Sequence, residues 1–264
     1  MSKITLEEQF KMVPIGDGQK FLKLLTLSNE QVDMFNPDVL GLGDIGSPST
    51  RVEALAALFD LSGFTNFCSQ VDPHLGVPEY LSRFLGWLFT EIKEGCIKEK
   101  DEEETILWAS LPFLAKFLGD GVLFLWDTKS MGGAEICNVV TSLWEICGNY
   151  VRRFFPMINK TVVQPPKTLR CGVSRGMVFS VGNGEDYVGP CINIAARLQK
   201  LSSLTFCLSR RGFDIEKHMP EETAEKYVLK FVSLRGIGEN ELVWVRQEEF
   251  GNLENEEKAL FGSP

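Results

Sequence analysis

The chain has 264 residues, 44% apolar and 11% aromatic, which is enough to close one large core. Its net charge of −9 excludes a nucleic-acid binder, because the only basic runs are pairs such as Arg152-Arg153 and Arg210-Arg211. The start, MSKITLEEQFKMVP, lacks an apolar signal core, and the longest apolar region (106–126) is broken by Pro112, Lys116 and Asp120, so no membrane partner is expected and the reading is a soluble cytoplasmic protein.

In chain order, residues 1–50 read as an N-terminal extension. GQKFLKLLTLSNEQV holds an element of some kind, and NPDVLGLGDIGSPST is a loop rich in Gly, Pro and Ser. Gly41, Gly43 and Gly46 spell GxGxxG there, but without the strand before and helix after that a dinucleotide site needs. VEALAALFD (52–60) is expected as a core strand that stops at Ser62-Gly63. VPEYLSRFLGWLFTEIKE is a helix with Pro78 near its start and Leu81, Phe84, Leu85, Leu88 and Ile92 on one face. KEKDEEET (98–105) is a solvated loop or helix end, part of an unusual insertion at 96–111.

FLAKFLGDGVLFLWD reads as a β-hairpin turning at Gly119, Asp120 and Gly121. AEICNVVTSLWEICGNYVRRFF is a long helix. LRCGVSRGMVFSVG is expected as two short strands around a turn at Arg175-Gly176. GPCINIAARLQKLS is a helix with Pro190 in its first turn, LTFCLSR a strand, and YVLKFVSLRGIGENELVWV a closing hairpin. This order gives an α+β fold, a mixed, mainly antiparallel sheet covered by helices. The seven cysteines are scattered, form no CxxC and have no histidine pair beside them, so they read as buried free thiols of a reducing compartment.

Two acids stand out. Asp60 ends an apolar strand, where a bare carboxylate is expensive unless something positive meets it. Asp120 occupies a hairpin tip. Carboxylates at adjacent strand ends are a natural seat for divalent ions, although Gly-Asp-Gly is also common turn chemistry.

ALFDLSGFTNF resembles the first metal motif of class III nucleotidyl cyclases, and KFLGDGVLFLW their second. LRCGVSRGMVFSVGNGEDYVGPCINIAARLQKLS is similar to their strand, turn, strand and Asn-x-Ala-x-Arg helix, and LRGIGENELVWV to their closing hairpin. The resemblance covers about residues 51–246, leaving 247–264 as a tail. It implies a ferredoxin-like core working as a homodimer with two interfacial sites on a nucleoside triphosphate. By it, Asp60 and Asp120, with the Leu61 carbonyl, hold two Mg²⁺ or Mn²⁺ ions per site. The backbone from Ser62 through Phe64 and Thr65 faces the phosphates. Asn193 orients the ribose and Arg197 meets charge at the α-phosphate. Arg170 meets the terminal phosphates, and Arg235 stands where the family often has a phosphate-binding lysine.

The family reads its base with two side chains, here Lys116 and Asp186. That pair matches adenylate cyclases. Lys only donates and ionised Asp only accepts, which disfavours guanine and leaves adenine, cytosine and uracil open. The extension and FTNFCSQVDPH resemble the small soluble pyrimidine cyclases of Pycsar antiphage systems, which favours UTP and a cyclic product read by a separate effector. Alternatives are an adenylate cyclase and a cyclase-like module without turnover. The Gly-Gly-Asp/Glu-Glu-Phe hairpin of a diguanylate cyclase is missing from the sequence.

Overall fold

The computed structural model describes residues 9–15, 20–70 and 72–264. It divides into two compact units, residues 51–178 with 189–264, and residues 1–50 with 179–188. In chain order the elements are β1 (Gln9–Ile15), β2 (Lys20–Thr26), α1 (Asn29–Asp33), β3 (Arg51–Ser62), α2 (Phe64–Cys68), α3 (Pro73–Cys96), β4 (Ile97–Lys100) and β5 (Thr105–Leu107). Then come β6 (Leu114–Phe117), β7 (Gly121–Asp127), α4 (Gly133–Asn149), a π-helical turn (Tyr150–Phe154), α5 (Phe155–Ile158), β8 (Thr168–Val181) and β9 (Asp186–Val188). The chain closes with α6 (Pro190–Leu198), β10 (Phe206–Ser209), α7 (Ile215–His218), α8 (Glu221–Ala224), β11 (Tyr227–Leu234), β12 (Gly238–Arg246), α9 (Gln247–Asn252), α10 (Asn255–Lys258) and β13 (Phe261–Gly262).

The large unit is built on one sheet in the order β13-β11-β12-β10-β8-β3-β7-β6. β10 pairs parallel with β8; β12 with β10 and β11, β13 with β11, and β7 with β3 and β6 are antiparallel. The α+β expectation therefore holds. Strand alternation divides the core into two faces. Leu55, Ala57, Phe59 and Leu61 of β3 pack with Phe84, Leu88 and Ile92 of α3 and Val139, Val140 and Leu143 of α4. On the other face Ile194 and Leu198 of α6 pack with Cys207, Val243 and Val245. Asp60, between Phe59 and Leu61 in sequence, points to the α6 face.

The smaller unit carries the β1–β2 hairpin, α1, and the end of β8 paired with β9, Phe179 opposite Val188. Thr50 N donates to Ser180 Oγ at 2.8 Å, and Asn183 N donates to the Leu42 carbonyl at 3.1 Å. Gly41 to Gly46 is loop with positive φ at Gly41 and Gly43.

Three expectations are corrected. Arg175-Gly176 is not a turn, because β8 runs unbroken through it. Its glycines serve helix packing instead. A Cβ on Gly172 would overlap the Ala195 carbonyl and stand 2.5 Å from Gln199 N, and one on Gly176 would stand 3.3 Å from Cys191 Cβ. Absent side chains on one side of β8 let α6 sit on the strand. Next, α3 begins at Pro73 rather than near Pro78, after Asp72 in the left-handed region (φ 58°). Pro78 lies inside, early enough to disturb few helical bonds. Last, the acidic run is neither plain loop nor helix end but the exposed β4–β5 hairpin, with Ile97 opposite Leu107. Segment 247–264 adds β13 to the sheet edge, and Glu249 accepts from Thr205 N at 2.7 Å.

All seven cysteines are free, and six are buried. No helix of the described residues is long and apolar enough to cross a membrane.

Candidate active site

Register puts the two acids side by side. Asp60 on β3 is opposite Gly121 on β7, and Leu61 N donates to the Asp120 carbonyl at 2.9 Å. Gly119, at φ 96°, and Gly121 are required locally. The first takes a left-handed conformation at the hairpin tip, and a Cβ on the second would strike the Phe59 carbonyl. The turn after β3 is set by Gly63 at φ 84°, from which α2 departs with Phe64 half-buried and Thr65 exposed. Phe64 packs on Phe67 and Tyr80, part of an aromatic cluster that includes Phe84, Trp87, Tyr150 and Phe154. The loop is thus bolted to rigid rings, and Tyr80 and Tyr150 join hydroxyl to hydroxyl at 2.7 Å.

Asp60 is 4% exposed. Arg170, at the start of β8, donates from Nη2 to Asp60 Oδ2 at 2.7 Å, and Lys200 Nζ stands 4.0 Å from Oδ1. The buried Nε of Arg170 has no hydrogen-bond partner among the described residues. The Asp120 side chain forms no hydrogen bond or ion pair among the described residues. Burial first, and the Asp120 charge second, push the Cys68 thiol up from its ordinary pKa. Two carboxylates and the Leu61 carbonyl fit Mg²⁺ or Mn²⁺, which take one or two carboxylates and leave further positions to water and phosphate. Among the described residues there is no group of three or more His, Cys, Asp or Glu that could hold a metal by itself.

On α6, Asn193 and Arg197 are exposed on one face, one helical turn apart, and make no side-chain bond among the described residues. Lys200 follows on the same side, its N–H donating to the Arg197 carbonyl at 3.2 Å. Lys116 lies on β6 opposite Leu123, in the larger unit. Asp186 opens β9 in the smaller unit, its Oδ1 accepting from Tyr187 N at 2.8 Å.

Arg235 is elsewhere. β8 starts beside Asp60, β10 runs parallel to β8, and β12 runs antiparallel to β10, with Cys207 opposite Val245. β12 therefore ends at the Asp60 end and begins at the far one. Arg235 sits in the exposed turn before β12, about 25–30 Å away along a nine-residue strand. One chain thus gathers Asp60, Leu61, Phe64, Thr65, Asp120 and Arg170 at one sheet end and leaves Arg235 at the other. Sequence reasoning missed Lys200. Its spacing of three from Arg197 was the available signal.

No protein-family model matches the sequence, and no curated protein matches it. Solved structures do. The adenylyl cyclase CyaB from P. aeruginosa superposes with a TM-score of 0.58 at 14% identity, covering 76% of this chain and 96% of that one. The guanylyl cyclase Cya2 gives 0.56 at 17% identity over 79% and 99%. The catalytic core of a rhodopsin-guanylyl cyclase with converted specificity, in complex with ATPαS, gives 0.52 at 16% identity over 75% and 97%. Identities this low carry the fold alone, and the fold of this chain is that of the class III adenylyl and guanylyl cyclase catalytic domains.

Proposed function

We propose that the protein is a metal-dependent nucleotide cyclase. It converts a nucleoside triphosphate, UTP in the favoured reading, to its 3′,5′-cyclic monophosphate and pyrophosphate. The observation that carries the reading is the meeting of Asp60 and Asp120 at adjacent strand ends, with Arg170 on the same carboxylate. In this reading the two aspartates and the Leu61 carbonyl hold two Mg²⁺ or Mn²⁺ ions, which when bound acidify the 3′-hydroxyl and neutralise phosphate charge. The 3′-oxygen bonds to the α-phosphorus, its proton is lost, and the bond to the β-phosphate oxygen breaks. Arg170 and the Phe64–Thr65 backbone bind the outgoing phosphates. Arg197 balances charge growing on the α-phosphate, and Asn193 orients the ribose.

The reading makes the enzyme a homodimer with two interfacial sites. Arg235 lies at the sheet end opposite Asp60, so a second copy must bring its Arg235 to this copy's phosphates. The catalytic domain is residues 51–246, with an extension before it and a tail after. The protein is cytoplasmic in this reading, which its free thiols support. The sequence resemblance to Pycsar cyclases places the product in antiphage signalling to a separate effector.

Adenylate cyclase activity is the second reading, favoured by the residue types at Lys116 and Asp186. Incubating the protein with each of the four triphosphates and Mn²⁺, followed by chromatography, tests both. Cyclic UMP supports the first, cyclic AMP alone replaces it with the second, and no cyclic product leaves a nucleotide-binding module.

A further inference from the structure

Asp60 meets two cations, one on each carboxylate oxygen, and they differ in freedom. Arg170 is packed, with its side chain 19% exposed and its Nη2 bonded at 2.7 Å. Lys200 is 59% exposed and stands 4.0 Å away without a hydrogen bond. Its root is fixed nonetheless. The Lys200 N–H is bonded to the Arg197 carbonyl, and α6 is seated on β8 through Gly172. Lys200 is therefore a mobile charge on a rigid mount at the mouth of the metal pair.

We propose that Lys200 couples metal entry to triphosphate binding. In the ligand-free chain it helps balance Asp60, and when metal and triphosphate arrive together it turns to the phosphates. The inference rests on the cyclase reading above. Its logic is charge. Asp60, Asp120, Arg170 and Lys200 together carry no net charge, so a divalent ion arriving alone meets two cations, one fixed and one free to turn. A triphosphate brings up to four negative charges, and the same cations then attract. Lys200 thus opposes bare metal and supports the metal–triphosphate complex, acting as a positioning residue for Asp60 in the first state and as a phosphate ligand in the second.

The test uses the full chain and its Lys200→Gln and Lys200→Arg variants. Calorimetric titration measures Mn²⁺ alone, then inorganic tripolyphosphate with saturating Mn²⁺, a probe free of any base. A unit charge about 8 Å from a divalent ion, or about 4 Å from a unit charge, is worth about fivefold in affinity in a watery site. Lys200→Gln is expected to bind bare Mn²⁺ about fivefold more tightly and Mn²⁺–tripolyphosphate about fivefold more weakly, with Lys200→Arg restoring both. A purely structural lysine would shift both affinities the same way or neither, and either result overturns the proposal. If the wild-type chain binds neither probe, the cyclase reading itself falls.

Discussion

Gly172→Ala is the sharpest test of how the site is built. A Cβ there overlaps the Ala195 carbonyl, stands 2.5 Å from Gln199 N and 3.0 Å from Leu198 Cβ, so the obstacle is largely helix backbone, which cannot rotate away. Helix α6 must lift from β8. Overpacking of a core commonly costs about 1–3 kcal/mol, and a backbone obstacle belongs at the upper end. A loss of about 3 kcal/mol lowers the melting temperature by about 6–12 °C in a chain of this size. Arg197 and Asn193 move with the helix, and displacement of about 1 Å can lower turnover by about a hundredfold. Thermal melts by circular dichroism and cyclic-nucleotide formation well below the melt are the assays. Gly86→Ala is the control. Gly86 is exposed inside α3 with open space around its Cβ direction, so alanine should add about 0.5–1 kcal/mol of stability there. If Gly172→Ala melts within 2 °C of wild type, by the same scale of about 2–4 °C per kcal/mol, α6 is not seated as described.

Other outcomes follow from individual contacts. Asp60→Ala abolishes turnover and strands Arg170, whose Nε already has no partner among the described residues; with 19% of that side chain exposed, a loss of about 2 kcal/mol in chemical denaturation is expected, below the range for a fully buried pair, and full activity would remove Asp60 from the mechanism. Tyr150→Phe should cost about 2 kcal/mol and Tyr80→Phe about half that, because the Tyr150 hydroxyl serves both the Pro166 carbonyl (2.5 Å) and Tyr80 (2.7 Å); equal losses in urea titrations would contradict this double role of Tyr150. Burial pushes the Cys137 and Cys191 thiols up from 9.0 to about 11, so stability gained by keeping them protonated is fully present below pH 9.0 and lost between there and about pH 11; a melting temperature that falls less across that window in the Cys137→Ser/Cys191→Ser protein than in wild type is expected, and equal falls would contradict it. Mixing Asp60→Ala with Arg235→Ala should restore about a quarter of wild-type activity, since half the dimers are mixed and each keeps one site with Asp60 from one copy and Arg235 from the other; no recovery after verified subunit exchange argues against shared sites.

Most of the element order was legible because periodicity carries it. VEALAALFD reads as a strand since apolar residues occupy both faces, and both are buried. Asp60 and Asp120 came together because a hairpin strand pairing with β3 leaves little choice of register. What was not legible depended on non-local contacts. Arg-Gly within LRCGVSRGMVF carries the same signal for a turn as for a strand that must admit a helix, and only the position of α6 decides between them. The partner of Asp60 lies 110 residues away in Arg170, and the nearness of Lys200 depends on how α6 crosses the sheet. The start of α3 was hidden because Asp72, in a left-handed conformation, caps it without a side-chain bond.

The placement of Asp60 bears on function through what it displaces. A carboxylate 4% exposed on a strand of Ala, Leu and Phe is not how stability alone would fill that position, because well-packed apolar residues in place of a buried ion pair are often neutral or better. Two features show that the charge is not simply neutralised and sealed. The side chain of its neighbour Asp120 has no bonded partner among the described residues, and one of the two cations of Asp60, Lys200, remains mostly in solvent at 4.0 Å. A purely structural pair would close onto itself. Here an acid is held in place by one fixed cation, beside a second acid and a mostly exposed lysine, which is the arrangement the proposed cyclase site needs if its remaining ligands arrive with the triphosphate.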